Sequence, residues 1–357
     1  VLPDSFLFGG IKMIFSTKTI QSINNRKENK SIVESYDDHS FFNEYLDIAL
    51  RESLENNSLI LDVFNEGFIT KSFSKIFNTI IDKFKNLIRL LHDKLTGFII
   101  TTQRKSDVFE HYDKELKNIA ISIEYSRARE KYTNLDASTS CTSNMTAILN
   151  SEFNTLNEQL KSISSQKSIE NIIDKLKTIN DETKPDQVYY DSIRGKIISG
   201  SGNSISKEEY SKKLIEYFRN NDKGYPANSK IEASEIKEIY KRYLNYKDDI
   251  RKINKEKSDI ESFCENMKKK FKSLDLEKKS AIQSNETISK AFDNIIKNEC
   301  MRVKECCTIF GLYFSIKFDM MKDERKQNIE VLTEVCKKLS NDRWEKSYNK
   351  LKRSKLL

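Results

Sequence analysis

The sequence predicts an all-α protein, an elongated helical array with a long antiparallel coiled-coil hairpin and a small irregular insert. Three observations carry that expectation. The 357 residues hold only 9 Gly and 3 Pro, whereas sheet-rich architectures need turn chemistry every few residues. Charged residues make up 32% of the chain and the hydrophobic set 37%, the mixture of long charged helices with narrow apolar stripes. Apolar residues also recur at steps of three and four over several long stretches, one face of a helix.

Lys and Arg number 62 against 54 Asp and Glu, a net charge of +8. Both signs are interspersed, the pattern of a solvated surface. Non-specific contact with nucleic acid stays open through charge alone, since no Arg-rich arm or stacking motif accompanies it. Usage of Lys, Ile, Asn and Ser over Arg, Ala and Gly is that of an AT-rich coding sequence. The cysteines (Cys141, Cys264, Cys300, Cys306, Cys307 and Cys336) form no CxxC pair and read as buried, reduced thiols. His39, His92 and His111 lie apart from them, so neither a structural zinc site nor any cofactor is expected. No apolar run approaches the roughly 18 residues that span a bilayer. The first residues do not read as a signal peptide, because Asp4 interrupts them without a basic segment before it.

In chain order, residues 1–40 divide into a leader and a mobile arm. Gly9-Gly10-Ile11-Lys12 precedes Met13, and those codons can spell a ribosome-binding site ahead of a start codon. Met13 is therefore the expected first residue, with 1–12 an untranslated leader read in frame. The nucleotide sequence tests this: glycine codons that are not purine-rich would exclude it. The polar stretch to residue 40 has the composition of a mobile arm. Residues 41–135 form a helical region, beginning with a helix over 41–54. Within it, 66–104 is a basic amphipathic helix whose stripe runs through Phe73, Ile76, Phe77, Ile80, Phe84, Leu87, Ile88, Leu91, Leu95 and Phe98. Its other face carries Lys71, Lys75, Lys83, Lys85, Arg89 and Lys94. Such a helix either contacts DNA, a membrane surface or a partner groove, or packs its stripe on neighbouring helices, the commoner use.

Residues 107–132 read as further helix, with Leu116, Ile119 and Ile123 inward, and 136–144 as a polar linker. A helix over 145–180 follows, interrupted by serines. Residues 181–230 hold Pro185, Gly195, Gly200, Gly202, Gly224 and Pro226, which marks an irregular insert or junction. Inside it, Ser206 with Glu209 three residues on is a capping box that starts a short helix to Arg219. From 231 to 345 the sequence predicts the hairpin. Ile236, Ile239, Tyr243, Tyr246, Ile250, Ile253, Lys257, Ile260, Cys264, Met267, Phe271 and Leu274 keep a heptad seam with one polar member. The helix over 288–339, with Phe292, Val303, Phe310, Phe314, Phe318, Ile329 and Leu332 in its stripe, returns antiparallel to it as the simplest geometry, a parallel homodimer being the alternative. The basic tail 346–357 closes the chain.

Catalytic patterns are missing. Gly195-Lys196 has no hydroxyl residue after it and so makes no phosphate loop. Pro185-Asp186 lacks the strands of a metal-dependent nuclease. No histidine pairs with a Ser or Cys nucleophile, HExxH does not occur, and 181–191 has no central glycine for a calcium loop. The expectation is a protein without enzymatic activity.

Several segments carry a family likeness. They are Glu52-Ser53-Leu54-Glu55, Phe64-Asn65-Glu66-Gly67-Phe68 before the basic helix, and Ile205-Ser206-Lys207-Glu208-Glu209-Tyr210 leading to Tyr217-Phe218-Arg219-Asn220. Tyr313-Phe314-Ser315-Ile316-Lys317 in the last helix adds to them. Together the chain resembles head-internal virion structural proteins of large tailed bacteriophages of low-GC Gram-positive bacteria. The resemblance implies a core or cargo protein of the capsid interior, made in the bacterial host cytoplasm. Its partners would be other virion proteins, further copies of itself, or packaged DNA. It also implies cleavage by a prohead protease after Leu-x-Glu or Ile-x-Glu, which points to Glu52 in Leu50-Arg51-Glu52. Ile32-Val33-Glu34 and Leu156-Asn157-Glu158 share the pattern. The alternative is a bacterial coiled-coil scaffold that docks on a membrane surface through the basic helix.

Overall fold

A computed structural model describes residues 5–8, 11–14, 69–103, 106–135, 140–164, 166, 168–199, 203–219, 224–281 and 285–339. Two compact units divide at Gly67 and Phe68. In the first, strands β1 (Ser5–Phe8) and β2 (Ile11–Ile14) pair antiparallel, with Phe6 opposite Met13. Both strands fall within the expected leader and the first two residues of the expected arm. The helix expected over 41–54 and the cleavage position Glu52 lie outside the described residues, as does the tail.

The second unit is helical, as the sequence predicts. Its described elements are α1 (Ile69–Gln103), α2 (Ser106–Glu110), α3 (Asp113–Lys117), β3 (Ile123–Tyr125), α4 (Ser140–Ser164), α5 (Ile169–Thr183), α6 (Gln187–Ser199), α7 (Lys207–Phe218), β4 (Ser229–Ile231), α8 (Ala233–Leu244), α9 (Tyr246–Ala281) and α10 (Glu286–Leu339). The 54 residues of α10 would extend ~80 Å if straight. This helix is the axis on which α1, α4, α5, α6, α7, α8 and β3 pack.

Between Arg302 and Arg325 no residue of α10 is exposed. The stripe expected there is buried, and the opposite side, through Glu305, Thr308, Leu312, Asp319 and Lys322, is half-buried. The run Thr308 to Met321 reads as one face only if its aromatics are counted and Gly311, Ser315 and Ile316 are passed over. Several elements crowd this stretch, and its small residues let neighbours approach. A Cβ on Gly311 would stand 3.0 Å from Leu87 of α1.

The seam residues Ile236, Ile239, Tyr243, Ile253, Ile260 and Phe271 are buried and Ile250 half-buried, but their partners differ from those of a two-helix hairpin. The stripe is broken at Asn245 into α8 and α9. Ile236, Ile239 and Tyr243 enter a core with Phe109, Leu116, Ile231 and Leu332. Beyond the break, α9 packs chiefly on α1 and α4. Phe77 of α1 stacks on Phe271 at 4.0 Å and meets Phe153 of α4 edge-on at 5.9 Å. Asp82 with Lys268, Lys85 with Glu265 and Asp93 with Lys257 show that α1 and α9 run antiparallel. Helix α10 also runs antiparallel to α9, as Tyr246 bonded to Asn328 and Glu256 beside Lys317 require. The most extensive packing of both helices in this region, however, is with α1.

Two other expectations are corrected. Residues 107–132 are not one helix: after α3 the chain extends, and β3 pairs with β4 through Ile123–Ile231 and Tyr125–Ser229. Further bridges join Arg129 to Tyr225 and Tyr132 to Arg219. Apolar residues at 119, 121, 123 and 125 alternate as a strand requires, a period masked by the three-four spacing of 116, 119 and 123. The segment 181–230 is not an irregular insert, since α6 and α7 occupy most of what is described of it. Its punctuation marks ends and close approaches. Ser206 caps α7 as expected, its hydroxyl accepting from the Glu209 amide at 3.3 Å.

Gly195 is buried inside α6, where an added Cβ would lie 1.6 Å from the Asn203 carbonyl oxygen. Gly195→Ala should therefore lower stability by about 1–3 kcal/mol, although alanine is intrinsically the better helix former by ~1 kcal/mol. Denaturant unfolding of the variant checks this; a gain in stability would mean that the 203–205 backbone is free to retreat.

Candidate functional site

Helices α1, α9 and α10 meet around three ionisable side chains, one from each. His92, Glu256 and Lys317 are 1%, 3% and 1% exposed. Each lies on a face chosen by apolar neighbours: His92 follows Leu91 in α1, Glu256 lies between Ile253 and Ile260, and Lys317 stands between Phe314 and Phe318. His92 Nδ1 is 2.7 Å from the Ile88 carbonyl oxygen, one turn back. Its Nε2 is 3.4 Å from Glu256 Oε2, and Lys317 Nζ is 3.9 Å from Glu256 Oε1. The Phe318 ring meets the imidazole edge-on at 4.9 Å.

A cavity of about 10 Å³ adjoins this cluster, lined by Asp249, Lys252, Glu256, Lys317 and apolar neighbours. That volume matches one water molecule. The site can hold charge and a proton but not a substrate of several heavy atoms. Toward the end of α1 the polar seam continues. Arg325 stacks on Tyr246 at 4.0 Å and donates to the Ile99 carbonyl at 3.2 Å; burial lowers it to about 10. Arg242 lies 3.4 Å from both Asp249 and Glu324.

A second buried group joins α4, α6 and α10. Tyr189 donates to Glu152 at 2.7 Å, and Arg302 lies over the Tyr189 ring at 4.6 Å. Glu299 is fully buried with neither oxygen hydrogen-bonded. Burial, with the Glu152 charge second, pushes its carboxyl up to about 8, so it is largely neutral at pH 7. The thiols follow the same physics: burial raises Cys264 and Cys336 to about 12 and holds Cys300, Cys306 and Cys307 higher still, which leaves them protonated and inert.

The expected basic face of α1 is in part engaged. Lys85 bonds Glu265 at 3.0 Å and Arg89 lies 3.9 Å from Asp93. Lys75, Lys83, Arg89 and Lys94 are exposed; Lys71 belongs to α1, its side chain outside the described residues. The apolar stripe behind them is spent on α9, α4 and α10, so a membrane surface would have to compete with the protein's own core for it. The polar seam member Lys257 reaches out to Asp93 at 2.7 Å. Among the described residues no group of three or more His, Cys, Asp or Glu is placed to hold a metal ion, and no helix is long and apolar enough to cross a membrane. The site residues that sequence reasoning passed over are His92, Glu256, Lys317 and Glu299. Their one sequence signal was an ionisable residue standing on an apolar stripe.

Glu299 generates a pH prediction. Its folded-state value of about 8 lies above the ordinary 4.5. The stabilisation from its neutral form is complete below about pH 4.5 and is lost as pH rises toward 8. The slope is about 1.4 kcal/mol per pH unit. Glu299→Gln, which cannot ionise, should flatten the profile and be the more stable form at pH 8. Guanidinium unfolding at a series of pH values measures it; parallel profiles would show that Glu299 is ionised in the fold.

Neither protein-family models, curated proteins nor solved structures give a match to this chain.

Proposed function

We propose that this chain is a non-enzymatic virion structural protein of a tailed bacteriophage, internal to the capsid and associated with the head core or packaged DNA. The observation that carries the non-catalytic part is where the ionisable chemistry goes. His92, Glu256, Lys317, Glu299 and Arg325 are all buried at helix junctions, and the cavity lined by Glu256 and Lys317 has room for about one water. These groups serve packing and register rather than a reacting molecule. The virion setting rests on the likeness of Ile205–Tyr210, Tyr217–Asn220 and Tyr313–Lys317 to head-internal proteins. In that setting the exposed cations Lys75, Lys83, Arg89 and Lys94 of α1 meet phosphate or acidic faces of other virion proteins, and Glu52 is the processing position. A scaffold at a membrane surface is the less favoured reading, because the stripe of α1 it needs is occupied.

Peptide-mapping mass spectrometry on purified particles, from a culture carrying this gene, tests the proposal. The chain is expected among the particle proteins, with its first recovered residue at Met13 or after Glu52. Abundance in the lysate with absence from particles would replace the virion reading with a host-cell scaffold.

A further inference from the structure

The α1–α9–α10 junction is not satisfied by a neutral histidine. The Ile88 carbonyl, 2.7 Å from His92 Nδ1, can only accept, so Nδ1 carries a proton. A neutral ring would then present the bare lone pair of Nε2 to Glu256 Oε2, 3.4 Å away. Two buried acceptors facing each other repel, and each loses its water without compensation. A proton on Nε2 turns the same contact into an attractive ion pair.

The surrounding charges decide which partner holds that proton. Lys317 of α10 lies 3.9 Å from the other oxygen of Glu256, which favours the ionised carboxylate. On α9, Asp249 and the exposed Lys252 line the adjoining cavity with Glu256 and Lys317. On α1, the next residue, Asp93, is exposed and turned away to Lys257. The rings of Phe314 and Phe318 supply no charge. On α8, Arg242 lies 3.4 Å from Asp249, so the carboxylate that faces His92 is Glu256, shared with Lys317.

We propose that His92 is carried in the core as an imidazolium clamped to Glu256, and that losing its Nε2 proton loosens the packing of α1 against α9 and α10. The junction is thus a pH-sensitive clamp, closed while the proton is held and weakened as pH rises.

Nitrogen NMR of the full chain labelled at histidine tests the first half, with the His92 signal assigned by its loss in His92→Gln. At about pH 7 both ring nitrogens should be protonated; a bare Nε2 would overturn the proposal. Unfolding across pH tests the second half. It is done in the Glu299→Gln background so that the titration of Glu299 does not contribute. The unfolding constant should rise by up to about tenfold per pH unit over the range in which NMR sees the proton leave. Glu256→Gln should abolish that rise, because its amide donates to a neutral Nε2 and its oxygen accepts from Lys317. Parallel slopes with and without Glu256→Gln would overturn the clamp. The NMR measurement uses the unaltered pair and decides even where Glu256→Gln does not fold.

Discussion

Everything in the helical unit depends on the packing of its other elements along α10. A helix with one apolar face needs one neighbour, whereas a helix without an exposed residue from Arg302 to Arg325 needs a sheath. Helices α1, α4, α5, α6, α7 and α8 and strand β3 supply it. The stripe of α1 and the split seam of α8 and α9 follow from that constraint, as do the short helices between them. Burying a Phe or Ile side chain contributes ~1.5–3 kcal/mol. The aromatic and aliphatic lining of α10 is therefore the main term set against the entropy of ordering the long chains around it.

A sheath of smooth apolar stripes would slide, and polar contacts fix where each helix stops. Along α1 and α9 the pairs Asp82–Lys268, Lys85–Glu265 and Asp93–Lys257 sit at the rim, at 2.6–3.0 Å. Exposed pairs of this kind contribute ~0–1 kcal/mol each, too little to hold the helices together. Displacing α1 by one turn, however, would separate all three at once. The buried groups are more selective. Removing one partner of a buried charge pair costs ~3–5 kcal/mol, although the intact pair adds little over an apolar replacement. His92 beside Glu256 and Arg325 over Tyr246 therefore penalise wrong registers more than they stabilise the right one.

How much of this was legible in the sequence differs by element and for physical reasons. Helix α1 and its buried residues were, since a stripe keeping steps of three and four over 35 residues has no strand reading. The Ser206 cap was legible because its geometry is local. The ribbon around β3 was not: Leu116, Ile119 and Ile123 fit a helix as well as Ile119, Ile123 and Tyr125 fit a strand, and only pairing with β4, more than 100 residues later, decides between them. Nor was the partner of the seam. A heptad stripe states that something covers it, and α1 competes for that place with α10.

The junction cluster was beyond sequence reading for a related reason. His92, Glu256 and Lys317 come together only when three helices have docked, and each alone resembles a common surface residue. What sets Lys317 apart is its burial among Phe310, Tyr313, Phe314 and Phe318. A lysine there can neither extend its ammonium into water nor be left without a counter-charge. A carboxylate stands beside it, Glu256 of the antiparallel α9, 3.9 Å away. The histidine placed on its second oxygen is an addition that neutral packing did not require, and it is this surplus group that makes the junction answer to protons.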